Sequence, residues 1–198
     1  MARNTALRAL SELPPTFRFS QALSAGLTEW QLRSSQEAGM IERIGRGLYR
    51  RADAPPADFD LLEIAARAPR ATICLTSALA RHDLTDIIPA RIDIALPRSH
   101  RPHELHLPIA WHRFADHTFE LGRDVMELEP GTAIGLYGPE RSIIDAYRLR
   151  HQEGLELGRE ALRHWLRRRE AAPSRLLQMA RHFPLAAGQL RNDLELLL

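Results

Sequence analysis

The stretch Ser20 to Arg51, SQALSAGLTEWQLRSSQEAGMIERIGRGLYRR, constrains this chain more than any other. Phe19 to Ala25 is a short apolar-periodic run, and Ser20 is its expected N-cap. Gly26 ends that run, because glycine accepts the left-handed backbone a tight turn needs. Thr28 opens a second helix with Gln31 three residues on, the spacing at which two side chains satisfy orphan backbone donors reciprocally. This helix is expected to reach about Ala38 and to close at Gly39. At about 3.6 residues per turn, Leu32, Ser35, Gln36 and Gly39 share one side, while Trp30, Arg33, Ser34 and Glu37 share the other.

Two short β-prone runs follow, Met40 to Ile44 and Leu48 to Arg51, flanking Gly45-Arg46-Gly47. They read as a hairpin with Arg46 at its tip and Arg43, Arg50 and Arg51 on its flanks. A lone hairpin is unstable in water, so it must pack on the helices. Two short helices about a tight turn, then a packed ribbon, form the pattern of a winged helix-turn-helix. On that reading the 28–38 helix enters a major groove. Arg33 reads a base edge, since a guanidinium can bind guanine bidentately. Thr28, Trp30, Gln31 and Ser34 set the fit, and Arg43, Arg46, Tyr49 and Arg50 supply the ribbon's contacts to phosphates or a minor groove. The plainer alternative is a partly solvated helix face with one packed tryptophan.

Charge supports the first reading weakly. Residues 1–51 hold eight arginines and four glutamates, a balance of +4, whereas the whole chain of 198 residues carries only +2. All 27 basic side chains are arginine. With no lysine there is no Walker A site, no Schiff base and no kinase-type phosphate contact, which makes several enzyme classes improbable. The single cysteine, Cys74, allows no internal disulfide, is compatible with a reducing compartment, and reads as a small buried apolar group. No long uncharged apolar run suggests a membrane span and no leader is recognisable, so a cytoplasmic protein is expected.

In chain order, residues 2–12 read as a helix, with Ala6, Leu7, Ala9, Leu10 and Leu13 available to pack and Pro14-Pro15 ending it. Arg18 is a further possible backbone contact or an ordinary surface charge. The proline-bearing segment 52–58 marks the expected boundary between a DNA-binding domain, 1–54, and a second domain, 58–198. The second part reads as a helix over 59–68, a strand over Thr72 to Leu75, and a helix capped by Thr76. Strands follow at Arg91–Pro97 and Ile109–Phe114, then a strand pair, Val125–Leu128 and Thr132–Tyr137, about Glu129-Pro130-Gly131. A helix then opens at Gly138-Pro139, and helical segments follow at about 156–170, 174–182 and 186–197. The fold class expected is α+β, an N-terminal winged helix-turn-helix followed by a small mixed sheet with several helices.

The motifs that carry chemistry in this second part are few. Arg141 and Asp145 stand at ion-pair spacing near a helix start, with Glu140 and Arg148 beside them. The favoured reading is that this cluster pins the helix to the sheet; a polar contact site is the alternative. His100, His103, His106, His112 and His117 lack a tetrahedral spacing and an assisting cysteine, so no metal is expected. No catalytic residue and no cofactor is expected either. Arg163, Arg167, Arg168, Arg169, Arg175 and Arg181 form a second basic cluster, read as a solvated face or as supplementary contact with nucleic acid.

The capped helix, the Gly39 exit and Ile41-Glu42-Arg43-Ile44-Gly45-Arg46-Gly47-Leu48-Tyr49-Arg50 resemble the N-terminal domain of the AbiEi family, antitoxins of type IV toxin–antitoxin pairs with repressor activity. Thr72 to Ala80 with His82, Ile94-Ala95-Leu96-Pro97, Tyr137 to Asp145, and the terminal helices with Glu160-Ala161-Leu162 resemble that family's C-terminal domain. The resemblance implies an autorepressor that binds double-stranded promoter DNA, and a C-terminal domain that antagonises a nucleotidyltransferase-like toxin without a stable complex. On it, Tyr137, Glu140, Arg141 and Asp145 become a candidate antagonism surface. One winged unit reads only a short site, so a monomer or weak dimer binding cooperatively to repeats is expected. The chain is not itself the toxin: Asp93 has no second aspartate two residues away. A non-enzymatic regulator is therefore expected. The alternatives are an enzyme acting on the toxin or a nucleotide, and a winged-helix regulator with no toxin.

Overall fold

The computed structural model describes residues 2–102 and 104–198, with side chains from Leu7 onward. The fold is α+β and divides into two compact units: the chain up to Pro69 together with Glu127–Ile134, and Arg70–Met126 together with Gly135–Leu198.

The first unit begins with α1 (Ala2–Glu12), β1 (Thr16–Arg18), α2 (Phe19–Ser24) and α3 (Glu29–Glu37). The hairpin β2 (Ile41–Gly45) and β3 (Leu48–Arg51) and the helix α4 (Phe59–Arg67) follow. Its sheet has the order β1-β3-β2, antiparallel throughout. β1 is a strand that the sequence reading did not anticipate; Phe17 pairs with Tyr49 in register and their rings stack with centroids 6.1 Å apart. Ala9, Leu10, Leu13, Phe17, Ala22, Leu27, Leu32 and Ile41 form the core. Fully burying a side chain of Leu or Phe size is worth about 1.5–3 kcal/mol, which holds three short helices that would not persist alone. The packing expected of Ala6 falls on a side chain outside the description.

Two sequence expectations change here. The N-cap of α2 is Arg18, not Ser20: Gln21 Oε1 accepts from the Arg18 backbone N–H at 2.7 Å, so the helix starts earlier. Gln36 is exposed rather than packed; Leu32 and Ser35 alone are buried on α3. The compact unit also runs through the proline-bearing connection 52–58 and takes in α4, ending at Pro69.

The second unit holds a mixed sheet of order β6-β5-β4-β8-β7. Its strands are β4 (Thr72–Ile73), β5 (Ile92–Pro97), β6 (Ile109–Phe114), β7 (Arg123–Glu129) and β8 (Thr132–Tyr137). The turn end of the last two, 127–134, counts with the first unit. β5 runs antiparallel to β4 and parallel to β6, and β4 is parallel to β8. The helices are α5 (Leu75–Arg81), α6 (Asp116–Phe119), α7 (Pro139–Arg148), α8 (Arg150–Glu153), α9 (Leu155–Leu166), α10 (Pro173–Ala180) and α11 (Pro184–Leu197). The short α6 and α8 are too brief to carry a period. Cys74, not Thr76, precedes α5; Leu75 turns sharply out of β4 at φ 44° and joins the helix, which shortens the expected strand. Gly138 caps α7 with Pro139 in its first turn, as expected.

Ile143, Ile144 and Tyr147 of α7 meet Leu157, Leu162 and Trp165 of α9 and Leu176 and Leu190 of the last two helices in one buried cluster. Asp193 ties it together, accepting from Tyr147 Oη at 3.1 Å, Arg159 Nε at 3.0 Å and Gln189 Nε2 at 2.9 Å. Burial raises its carboxyl, but these hydrogen bonds outweigh that and hold it below the usual carboxylate range.

Candidate nucleic-acid interface

The turn between α2 and α3 is set by three local devices. Gly26 takes φ +88°, open only to glycine at low cost. The Thr28 hydroxyl accepts from Gln31 N at 3.2 Å, while Gln31 Oε1 accepts from Thr28 N at 2.8 Å, so the predicted capping box is present. Gly39 then leaves α3 at φ +68°. Thr28 and Gln31 are thereby engaged in shaping the helix start, and Gln31 keeps its amide N–H groups for a ligand.

From this frame α3 presents Trp30, 70% exposed, together with exposed Arg33, Gln36 and Glu37. Ser34 is half-buried. A groove of about 720 Å³ runs along the helix, bounded by Glu29, Trp30, Arg33, Gln36 and Glu37 on one side and by Arg43 and Tyr49 of the hairpin on the other. Trp30, Arg33, Arg43 and Tyr49 were expected at such a site, and one concavity brings them together. Gln36, Glu29 and Phe19 also line it and were not expected to. The signal for Glu29 and Gln36 was in the spacing, since positions 29, 33, 36 and 37 recur every three to four residues along one helix face, whereas Phe19 comes from α2 and no such spacing marks it.

The hairpin turn is Arg46-Gly47, with Gly47 at φ +66° and Gly45 opposite Leu48. Arg67 of α4 donates to the Arg46 carbonyl at 2.6 Å and Phe19 N–H donates to Gly47 O at 2.9 Å, so the turn is braced from two sides. The Arg46 side chain is exposed at its tip. Arg67 was not anticipated; nothing local marks a helix arginine that reaches a turn 21 residues away.

Arg50 is the clear correction. Only 2% exposed, it lies inside the first unit. Its guanidinium is paired with Glu129, donates to Thr16 Oγ1 at 3.0 Å and to the Pro55 carbonyl, and sits 5.7 Å from the Phe59 ring centroid. It cannot touch a phosphate, because β3 turns this side chain to its buried face while Tyr49 and Arg51 take the other. The other basic groups sort in the same way. Arg8 pairs with Glu12, Arg51 pairs with Asp53, and Arg18 donates to the Ala66 carbonyl. Among the described residues, Arg33 and Arg46 carry guanidiniums with no protein partner, and Arg43 spends only its Nε, on Gly45 O at 3.1 Å. The modest positive balance of the N-terminal part thus resolves into three available cations around the groove and wing.

In the second unit, the polar set Tyr137, Glu140, Arg141 and Asp145 is no surface. Tyr137, Arg141 and Asp145 are fully buried and Glu140 is half-buried. Arg141 bonds Asp145 at 3.0 Å and the Thr118 carbonyl at 2.7 Å, with its guanidinium 4.1 Å from the Tyr137 ring centroid. Burial raises the Asp145 carboxyl, and Arg141 and Arg148 oppose that rise. The cluster pins α7 to its sheet, as the favoured reading had it. The histidine set does not converge among the described residues: His112 pairs with Asp93 at 3.0 Å, His100 lies 3.1 Å from Ser99 Oγ, and His103 lies outside the description. A different trio, Asp86, Glu160 and His164, brings ligand atoms within 4.8 Å of one another, with Asp86 exposed. Burial also pushes the Cys74 thiol well up, consistent with an inert core residue. Of the second basic cluster, Arg168 donates to the His82 carbonyl and Arg175 to Glu170 O at 3.1 Å, while Arg163, Arg167, Arg169 and Arg181 are exposed. No described helix is long and apolar enough to cross a membrane.

Residues 4–52 match the family model described as transcriptional regulator, AbiEi antitoxin. No curated protein matches the chain. The match ends just past β3, so it covers α1 to the wing and leaves the second unit outside. Over its helix-turn-helix and wing, the head of this chain is similar to the AbiEi antitoxin family of transcriptional regulators.

Proposed function

We propose that the chain is a sequence-specific double-stranded DNA-binding repressor of its own operon and the antitoxin of a type IV pair. The observation that carries this is the groove along α3, which holds an exposed tryptophan with the available Arg33 and Arg43, beside a braced wing with Arg46 at its tip, in the segment that matches the regulator family. The α3 helix lies in the major groove, with Arg33 on a base edge. Arg43 and Arg46 neutralise phosphates or enter the adjoining minor groove. Repeats in the promoter place two or more copies side by side, as monomers or a weak dimer binding cooperatively.

The second unit supplies antagonism of a nucleotidyltransferase-like toxin, as a regulator rather than an enzyme. Because Tyr137, Arg141 and Asp145 are buried, they act by holding the fold, and antagonism depends on other residues.

Gel-shift titration of the full chain on its own promoter at two salt concentrations tests the DNA half. Retardation in discrete steps, weakening steeply as salt rises, is the expected result. Equal affinity for promoter and unrelated duplex would overturn a repressor reading. Co-expression with the neighbouring gene tests the antitoxin half: growth is restored if that product is the cognate toxin, and unrestored growth refutes the pairing.

A further inference from the structure

The face of α3 that lines the groove is not a basic face. Glu29 and Glu37 flank Arg33 at four residues on either side, all three line the same groove, and all three are exposed. Glutamate and arginine at that spacing commonly pair, and Arg8 with Glu12 does so at 3.5 Å. Here neither glutamate is ion-paired among the described residues. Glu29 in the first turn favours the helix dipole, so its presence has a structural cause. Glu37 has none. It sits in the last turn, against the negative end of the dipole, with no basic residue in that turn to offset it. An exposed, unpaired carboxylate is thus held at the unfavourable end of a helix, on the side where a polyanion would approach.

A carboxylate at neutral pH only accepts hydrogen bonds, so it repels phosphate and can bond only a donor. In the major groove the donors are the N4 amino group of cytosine and the N6 amino group of adenine. Non-specific affinity comes from phosphates alone, so acids on the reading helix subtract from it everywhere. At a site offering amino groups in the right places, that penalty is offset.

We propose that Glu29 and Glu37 are specificity determinants that hold α3 off unrelated duplex and admit it where a cytosine or adenine amino group lies beside the guanine read by Arg33. Phosphate attraction is then left to Arg43 and Arg46, which separates sequence reading on α3 from electrostatic anchoring on the hairpin. This rests on the DNA-binding reading above.

The test uses the full chain as wild type, Glu37→Gln and the Glu29→Gln/Glu37→Gln double variant, whose exposed amides keep the side-chain size. Fluorescence anisotropy gives affinities for the promoter duplex and for a scrambled duplex of equal length. Thermal unfolding matching wild type shows that each variant folds. The double variant should bind the scrambled duplex about tenfold more tightly while gaining nothing on the promoter, so the ratio of the two affinities shrinks. Glu37→Gln alone should shift the ratio in the same direction by a smaller factor. A ratio that stays constant, whether both affinities rise or neither does, overturns the proposal. Failure of wild type to prefer its promoter would instead overturn the underlying DNA reading.

Discussion

Arg141→Ala is expected to destabilise the second unit by about 3–5 kcal/mol, the usual cost of removing one partner of a buried ion pair. The side chain is fully buried, and it bonds Asp145, the Thr118 carbonyl and the Leu121 carbonyl at once. Alanine leaves those acceptors short of donors and opens a void against the Tyr137 and Phe183 rings, which lie 4.1 and 4.5 Å from the guanidinium. Denaturant unfolding followed by tryptophan emission checks this, because Trp165 is in the buried cluster of the same unit. Arg141→Lys should recover only part of the loss, since an ammonium cannot reproduce the planar fork. Wild-type stability of Arg141→Ala would mean that the cluster does not hold α7.

Arg50→Ala is expected to cost a similar amount, about 3–5 kcal/mol, and to abolish DNA binding by unfolding the first unit rather than by losing a contact. It strands Glu129, whose side chain is 5% exposed and would keep only neutral donors, the Thr16 backbone N–H at 3.0 Å and the Thr132 hydroxyl at 3.5 Å. Arg50→Met with Glu129→Leu separates the two causes. Replacing a buried pair by apolar groups is often close to neutral, so the double variant should regain stability and promoter binding together. Stability without DNA binding in that variant would return Arg50 to the interface.

These two arginines show what the sequence can and cannot disclose. The Arg141–Asp145 pair was legible, because helical periodicity alone brings residues four apart together. Its burial was not, because the closing groups are carbonyls 23 and 20 residues away. A surface pair of this kind contributes only tenths of a kcal/mol; walls from other elements turn it into an anchor. Arg50 misled for the same reason. On paper it continues the basic run of the wing, and its partner lies 79 residues on, in a turn read as part of another domain.

Local grammar served better. Thr28 with Gln31, Gly26, Gly39 and Gly138-Pro139 stand where their backbone chemistry requires, so α3 and α7 start where expected. The strand β1 was missed since three residues between a diproline and a helix carry no alternation to read, and its place comes from pairing with β3. Within the groove, Trp30, Arg33, Arg43 and Tyr49 were found from pattern. Gln36 was assigned to the wrong face because a nine-residue helix leaves its boundary positions ambiguous by one neighbour.

The most direct test of the central claim is a salt-dependent titration of Arg33→Ala and Arg46→Ala against the promoter duplex and a panel with single base-pair changes. Both side chains are exposed and unpartnered, so both variants should fold as wild type does. If α3 and the wing lie on DNA as argued, Arg33→Ala loses about 1–3 kcal/mol on the promoter and becomes indifferent to one base pair. Arg46→Ala weakens every duplex alike and lowers the salt slope by about one. Unchanged promoter affinity and base preference in Arg33→Ala would contradict the account.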